Sequence, residues 1–236
     1  MTTPTAGPAP DTVPAETATG DGGPPGATGW RSSFSGLELA FLIAVPLGWA
    51  VLLAFHGAPD PDDIYGSLRD EATRFIVVHL GSIAFIALMG EALYLLLRNV
   101  PGRAAQISRL AIVPFVALYA AGDAIAGLAT GVLVKDANDG ADTAGGAQAL
   151  WDNFITGDLL FWLGGSAWII AAIAAAVAFR QAGARTAVVV LVGLSAIVAF
   201  HPPPPGPIGL LCFTAAVVLL AREQRAPARA GAQVVA

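Results

Sequence analysis

Four side chains in this sequence have the types and positions needed to hold a metal ion. His56 ends the first apolar segment, His201 follows the fifth, and His79 and Asp158 each lie four residues into an apolar segment. If these segments cross a membrane, all four side chains lie at or within about 6 Å of one membrane face, because a helix rises about 1.5 Å per residue. Imidazole and carboxylate groups are ligands that zinc and other divalent metals accept. The positions predict a metal site formed by His56, His79, Asp158 and His201, with imidazoles that hydrogen-bond neighbouring carbonyls or water as the alternative.

Asp123 is a second candidate, because it lies near the middle of the third apolar segment. It shares a helix face with Tyr119 and with two glycines that form a small-residue packing pattern. A carboxylate at this depth is a functional candidate, so Asp123 and Tyr119 are predicted to bind a proton or a small solute. The alternative is a neutral acid that hydrogen-bonds Tyr94 or Ser166 on another helix. Counted along its own helix, Asp123 lies about 16 Å from the outer end, which predicts a position apart from the metal site.

Two glutamates lie nearer to the opposite membrane face. Glu91 is in the inner half of the second segment, and it joins Asp123 and Tyr119 among the candidate proton- or solute-binding residues. Its other interpretation, which also applies to Glu38, is ion pairing with arginines at that face, such as Arg98. Long charged side chains near helix ends reach such partners by snorkelling.

Six apolar segments must position these residues, and they predict an all-α membrane protein. A helix needs roughly 20 residues to cross a hydrocarbon core of ~30 Å, and the first four segments meet or approach that length. The last two have about 14 residues each and are joined by a proline-rich turn, so they are short spans or a re-entrant pair. The predicted fold is a six-transmembrane-helix bundle with a short proline-linked last helical pair. Its segments are Leu37–Phe55, Phe75–Leu97, Leu110–Val134, Phe154–Phe179, Ala187–Phe200 and Ile208–Ala221.

The composition supports this fold class and excludes several functions. Hydrophobic residues make up 56% of the 236 residues and charged residues 12%, whereas soluble domains carry about 25% charge. The net charge of −5 excludes a broad nucleic-acid-binding surface, which needs basic residues. The single cysteine, Cys212, excludes a disulfide within the chain and a cysteine-based metal cluster.

The charge distribution predicts the domain boundaries and the orientation. Residues 1–33, rich in Pro, Gly and Thr, are predicted to be a disordered tail, residues 34–221 the transmembrane domain, and residues 222–236 a basic tail. Nine basic residues lie on the side of the N-terminus and three on the other side, so both termini are predicted to be cytoplasmic and the bundle to lie in the plasma membrane. The expected partners are the lipid bilayer and either a second copy of the chain or another membrane protein.

Three functions are compatible with these residues. The favoured one is a non-enzymatic protein that binds or transports a small solute or protons through an outward-facing polar pocket. The second is a metal-dependent membrane hydrolase acting on a lipid or amphiphile, in which a metal such as zinc is the cofactor and its bound water attacks the substrate. The third is a structural or assembly subunit without a site. The sequence lacks the GxSxG, P-loop and Rossmann patterns of other enzyme classes.

Overall fold

The computed structural model describes residues 34–232, with side chains described up to residue 223, and this part of the chain consists of helices without strands. The predicted disordered tail, residues 1–33, lies outside the described residues, as do residues 233–236. The helices are α1 (Gly36–Leu53), α2 (Ile64–Leu68), α3 (Ala72–Leu97), α4 (Arg103–Asn138), α5 (Ala144–Trp151), α6 (Phe154–Gln181), α7 (Thr186–Ala199) and α8 (Pro205–Ala232).

Five of these helices are long and apolar enough to cross a membrane, which makes the described part of the chain a multi-pass membrane protein. They are α1, α3, α4, α6 and the Pro205–Glu223 part of α8. The fifth apolar segment forms α7, which is shorter than a full span, so the count of six spans remains a prediction. The predicted basic tail begins as a continuation of α8, which remains helical to Ala232.

The short α7 is nevertheless part of the bundle. It packs against α6 and α8, and its Val188, Val192 and Val198 are fully buried. The Trp168 indole of α6 donates a hydrogen bond to the Ser195 carbonyl of α7 over 2.8 Å. An indole N–H buried in apolar surroundings needs such a partner, and this bond holds the end of α7 against α6.

Glycines allow α3, α4 and α6 to approach closely. A Cβ added at Gly127 of α4 would lie 1.9 Å from the His79 ring of α3, and one added at Gly131 would lie 2.9 Å from the Ile76 side chain. On the other side of α4, a Cβ at Gly164 of α6 would lie 2.6 Å from the backbone nitrogen of Tyr119. Small residues at these crossings let the backbones pack almost directly against each other, as is common between membrane helices.

Helix α4 departs from regular α-helical geometry around Asp123. Residues Phe115–Tyr119 and Asp123–Ala129 are π-helical, with wider turns than the α-helical segments on either side. Segments of this kind occur frequently at functional sites because they alter which side chains share a face. Here Tyr119 ends the first π segment and Asp123 begins the second.

We call the end of the bundle at which α3 and α6 begin the histidine end. A small cap closes this end. In the cap, α2 and α5 pack against the last turns of α4, and Ile64, Leu68 and Val134 are buried between them. The Gln148 side chain of α5 accepts a hydrogen bond from the Ile64 N–H and donates one to the Pro61 carbonyl. The segment between α1 and α2, which carries His56, is thereby tied to α5.

We expect Gly164→Ala to destabilise the bundle by about 1–3 kcal/mol, the usual cost of overpacking, because the Tyr119 backbone cannot rotate away from the added methyl group. The measurement is the midpoint of thermal unfolding of the purified protein in detergent. Gly145→Ala is the matched control, since a Cβ there meets nothing within 4 Å. Equal midpoints for the two variants would show that α6 does not approach α4 as closely as described.

Candidate metal centre

The three histidines of the chain meet at the histidine end of the bundle. One ring nitrogen from each of His56, His79 and His201 lies within 4.8 Å of the ring nitrogens of the other two. They come from three different places: the segment after α1, the second turn of α3, and the link between α7 and α8. His79 and His201 are buried and His56 is half-buried. A metal ion between the rings would therefore be held by three separate parts of the fold.

Hydrogen bonds fix the protonation of His56 and His79. The Nδ1 atom of His79 lies 2.8 Å from the Phe75 carbonyl oxygen, and Nδ1 of His56 contacts the Gly57 carbonyl oxygen. A carbonyl oxygen only accepts, so in both rings the proton is on Nδ1 and the lone pair is on Nε2. A metal-ligating histidine typically donates its second ring N–H to a carbonyl in this way.

Tyr119 fixes the protonation of His201. Its hydroxyl lies 2.9 Å from the Ala199 carbonyl oxygen, to which it donates, and 2.8 Å from Nδ1 of His201. Because the hydroxyl proton is used by the carbonyl, the His201 ring donates its Nδ1–H to the hydroxyl oxygen. The lone pair of His201 is then on Nε2, as in the other two rings.

Asp123 lies directly against two of these rings. Its Oδ1 atom is 4.0 Å from Nε2 of His79 and 3.8 Å from Nε2 of His201. The Asp123 side chain is fully buried, and among the described residues neither of its oxygens has a hydrogen-bond partner, nor does Nε2 of His201. A buried carboxylate without a partner costs several kcal/mol, and a cation among these atoms would offset that cost.

Burial also keeps the histidines outside the spanning helices neutral. Desolvation lowers the pKa of His56, and it lowers the pKa of His201 well below its usual value, with a further contribution from the neighbouring histidines. Neutral imidazole is the form that binds metal ions. Both groups are therefore in the ligand form at neutral pH.

A cavity of about 730 Å³ adjoins the three histidines. Its wall includes all three imidazoles and Tyr119, while Asp123 is not among the lining residues. The carboxylate thus lies on the buried side of the imidazoles, and the cavity lies on the other side. The wall also contains carboxylates and aromatic rings, namely Asp62, Asp152, Asp158, Trp151, Phe161, Trp162 and Phe200.

The predicted separation of Asp123 from the histidines is wrong. The predicted depth of Asp123 is measured from Val134 as the membrane end of α4, but Val134 is buried in the cap against Ala72 and Phe75, where α3 begins. The register between the helices decides the depth: Gly127 faces His79, so Asp123 lies only one turn further along.

The other predicted site residues are spread more widely. Asp158 lines the cavity but is exposed and is not part of the three-histidine cluster. Glu91 is exposed on α3, three turns from His79, and does not line the cavity. Tyr94, one suggested partner of Asp123, is 48% exposed, and Asp123 accepts no hydrogen bond from it or from Ser166.

At the opposite end of the bundle, the predicted ion pairing is observed for one of the two glutamates. The Glu38 carboxylate receives hydrogen bonds from the Arg98 guanidinium, one of them over 3.1 Å. This pair links the start of α1 to the end of α3, far from the histidines along both helices.

The Tyr119 hydroxyl hydrogen-bonds both His201 and the Ala199 carbonyl, so it positions the His201 ring. Direct binding of a proton or solute by Tyr119 stays a prediction. The sequence contains one signal for this arrangement, because Tyr119 and Asp123 are four residues apart and therefore share a helix face. In the structure both side chains on that face contact His201.

Comparisons of the chain with protein-family models, with curated proteins and with solved structures found no match. The interpretation of the centre therefore depends on its own geometry. That geometry consists of three clustered imidazoles beside a cavity, with a buried carboxylate against two of them. Imidazole and carboxylate groups are ligands that divalent metal ions accept.

In the metal-free protein we expect all three imidazoles to be neutral at pH 7 with the proton on Nδ1. His56 and His201 should stay neutral as the pH falls through ~6.5, where an exposed histidine is half protonated, because their pKa values are lowered. Nitrogen-15 NMR of histidine-labelled protein distinguishes the two tautomers. Tyr119→Phe should alter the His201 signals and leave those of His56 unchanged, and an Nε2–H tautomer in the unaltered protein would contradict the arrangement.

Proposed function

We propose that this protein is a metal-dependent membrane hydrolase. It binds one divalent transition metal ion, zinc fitting best, through His56, His79 and His201. Asp123 lies against two of these rings on the buried side and supplies a counter-charge. The observation that carries the proposal is the convergence of three imidazoles, each with its Nδ1–H already donated, two of which lie against a buried carboxylate without a hydrogen-bond partner. The chain is a six-span plasma-membrane protein with both termini in the cytoplasm, so the cavity opens on the outer side.

The donor atoms favour zinc among the divalent metals. Imidazole nitrogen and carboxylate oxygen are its common ligands, and oxygen-only ions such as calcium and magnesium need more oxygen atoms than the centre supplies. The Asp123 charge lowers the net charge of the occupied centre, which reduces the cost of burying a divalent ion. Three protein ligands leave one position of zinc open, and a water bound there would have its pKa lowered to about 7, which would supply a nucleophile at neutral pH.

The cavity favours a hydrolase over a transporter. At about 730 Å³ it is the size of a pocket for an organic ligand, and far larger than a metal ion or a proton requires. On the other side of the centre, Ile86, Phe115 and Trp168 are fully buried and fill the core, and the rings of Phe115 and Trp168 are 4.7 Å apart. The cavity therefore ends at the metal centre. Transport of a solute or of protons through Asp123 remains the second prediction.

Elemental analysis of the purified protein tests the metal. We expect about one equivalent of zinc, and we expect His79→Ala and His201→Ala each to lose it, because each removes one of a few ligands. Asp123→Asn should weaken zinc binding by at least about tenfold, whereas Asp158→Asn should retain stoichiometric zinc because Asp158 lies outside the cluster. Protein free of metal after metal supplementation, or alanine variants that still bind it, would refute the proposal.

A glycine variant tests the geometry without removing a ligand. In Gly127→Ala the added methyl group would lie 1.9 Å from Cδ2 of His79, so the ring must move away from the other two. We expect a loss of zinc affinity of about 10–100-fold, as when the support of a ligand is removed. Isothermal titration calorimetry measures it, and circular dichroism verifies that the helices are retained.

The matched control is Gly146→Ala in the cap. A Cβ at Gly146 makes only an ordinary contact of 3.6 Å with Leu133, so zinc affinity should equal that of the unaltered protein. If Gly127→Ala binds zinc as tightly as the control does, His79 is not a ligand in the position described.

A further inference from the structure

We infer that the substrate is a long-chain acyl ester or amide with a cationic, amine-bearing head group, which enters the cavity sideways from the bilayer. This inference rests on the proposed hydrolase function and specifies its substrate class. Three features of the cavity carry it: the charge of its wall, the order of polar and apolar residues along it, and the exposure of its aromatic rim.

The charge of the wall selects the head group. The cavity wall contains three exposed carboxylates, Asp62, Asp152 and Asp158, and contains no lysine or arginine among the described lining residues. An anionic head group would meet only like charges there, and a phosphate would find no cationic partner. The indoles of Trp151 and Trp162 line the same wall. Carboxylates combined with aromatic faces are the recognised surroundings of ammonium groups, including quaternary ones.

The order of residues along the cavity matches an amphiphile. Asp62 and Asp152 lie outside the spanning helices, in the segment before α2 and directly after α5. Along α6, the lining residues include Asp158, Trp162 and finally Ile169. Ile169 lies about 16 Å beyond Asp158, because a helix rises about 1.5 Å per residue. A ligand that follows this wall has its charged end at the cap and its apolar end inside the bundle, which is the orientation of a lipid in the bilayer.

The aromatic rim provides the lateral entrance. Trp162 and Phe200 line the cavity, yet they are 64% and 51% exposed. After Trp162 along α6, the adjacent Leu163 and, two turns further, Ile170 are also about half exposed, at 48% and 51%, as expected of a surface that faces acyl chains. The cavity wall is thus continuous with the membrane-facing side of α6. A substrate dissolved in the bilayer reaches the centre without first leaving the lipid.

The reaction is a hydrolysis with water as the only co-reactant. The oxygen of water bonds to the acyl carbonyl carbon, and the bond from that carbon to the oxygen or nitrogen of the head group breaks. One proton of the water goes to the released alcohol or amine, and the acyl group leaves as a carboxylic acid. No oxidant, reductant or nucleotide is needed.

The test uses the full zinc-loaded chain in nanodiscs of uncharged lipid and three esters that differ in one part each. Decanoylcholine has a cationic head, decanoyl isethionate carries a sulfonate in place of the trimethylammonium group, and acetylcholine keeps the head but has a short acyl group. We expect kcat/KM for decanoylcholine to exceed that for decanoyl isethionate by about tenfold or more, as for focused charge. It should exceed that for acetylcholine by at least about tenfold, because each methylene in an apolar pocket contributes.

A charge variant then locates the head group. Asp158→Asn should lower the preference for decanoylcholine over decanoyl isethionate by about threefold, the effect of one solvent-exposed charge. Asp142→Asn is the matched control, since Asp142 is exposed at the same end and does not line the cavity. Its kcat/KM values should equal those of the unaltered protein.

The outcomes separate the inference from the function on which it rests. Bound zinc that depends on the histidines, together with no hydrolysis of any of the three esters, overturns the substrate class and leaves the metal centre standing. Equal rates for the two decanoyl esters, faster hydrolysis of decanoyl isethionate, or equal rates for acetylcholine and decanoylcholine also overturn it. Protein that binds no zinc overturns the proposed function and the inference together.

Discussion

The cost of burying a carboxylate against the Nε2 atoms of two imidazoles, without a cation, constrains the histidine end of this bundle. Oδ1 of Asp123 is 3.8 Å from Nε2 of His201 and 4.0 Å from Nε2 of His79. In a medium of low dielectric these groups repel one another unless something positive lies among them. The surrounding hydrogen bonds do not relieve the repulsion, because they engage Nδ1 of each ring and leave every Nε2 atom free. The fold holds the donors in place, and the metal ion of the proposed function would supply the missing charge.

These groups come together where glycines replace larger side chains and where α4 departs from α-helical geometry. Gly127 leaves room for the His79 ring, and Gly164 lets α6 reach the backbone at Tyr119. The two π segments of α4 adjoin Tyr119 and Asp123, and they adjust the face on which those side chains lie. Elsewhere in the described core, the rings of Trp168 and Phe115 are fully buried and pack 4.7 Å apart. The tight contacts at Gly127 and Gly164 thus adjoin the histidine cluster, and the cavity lies beside it.

Prediction from the sequence succeeded where a residue's surroundings depend on distance along one helix. The length and apolar character of the segments predicted an all-helical membrane protein, and the depths of His56, His79 and His201 predicted that they lie near one another. It failed for Asp123, whose depth depends on how far α4 projects past α3 into the cap. It also failed to separate Asp158 from the histidine cluster, because equal depth on different helices does not determine which faces meet.

The sequence by itself determined that the chain is a helical membrane protein with titratable side chains inside its apolar segments, because composition and segment length suffice for both conclusions. Only the tertiary structure decided which of these side chains share a centre and which of their atoms are free to bind. Register between antiparallel helices places Asp123 beneath His79, and a hydroxyl from α4 fixes the proton on His201. Both depend on contacts between residues far apart in the chain, which no periodicity within a single helix encodes.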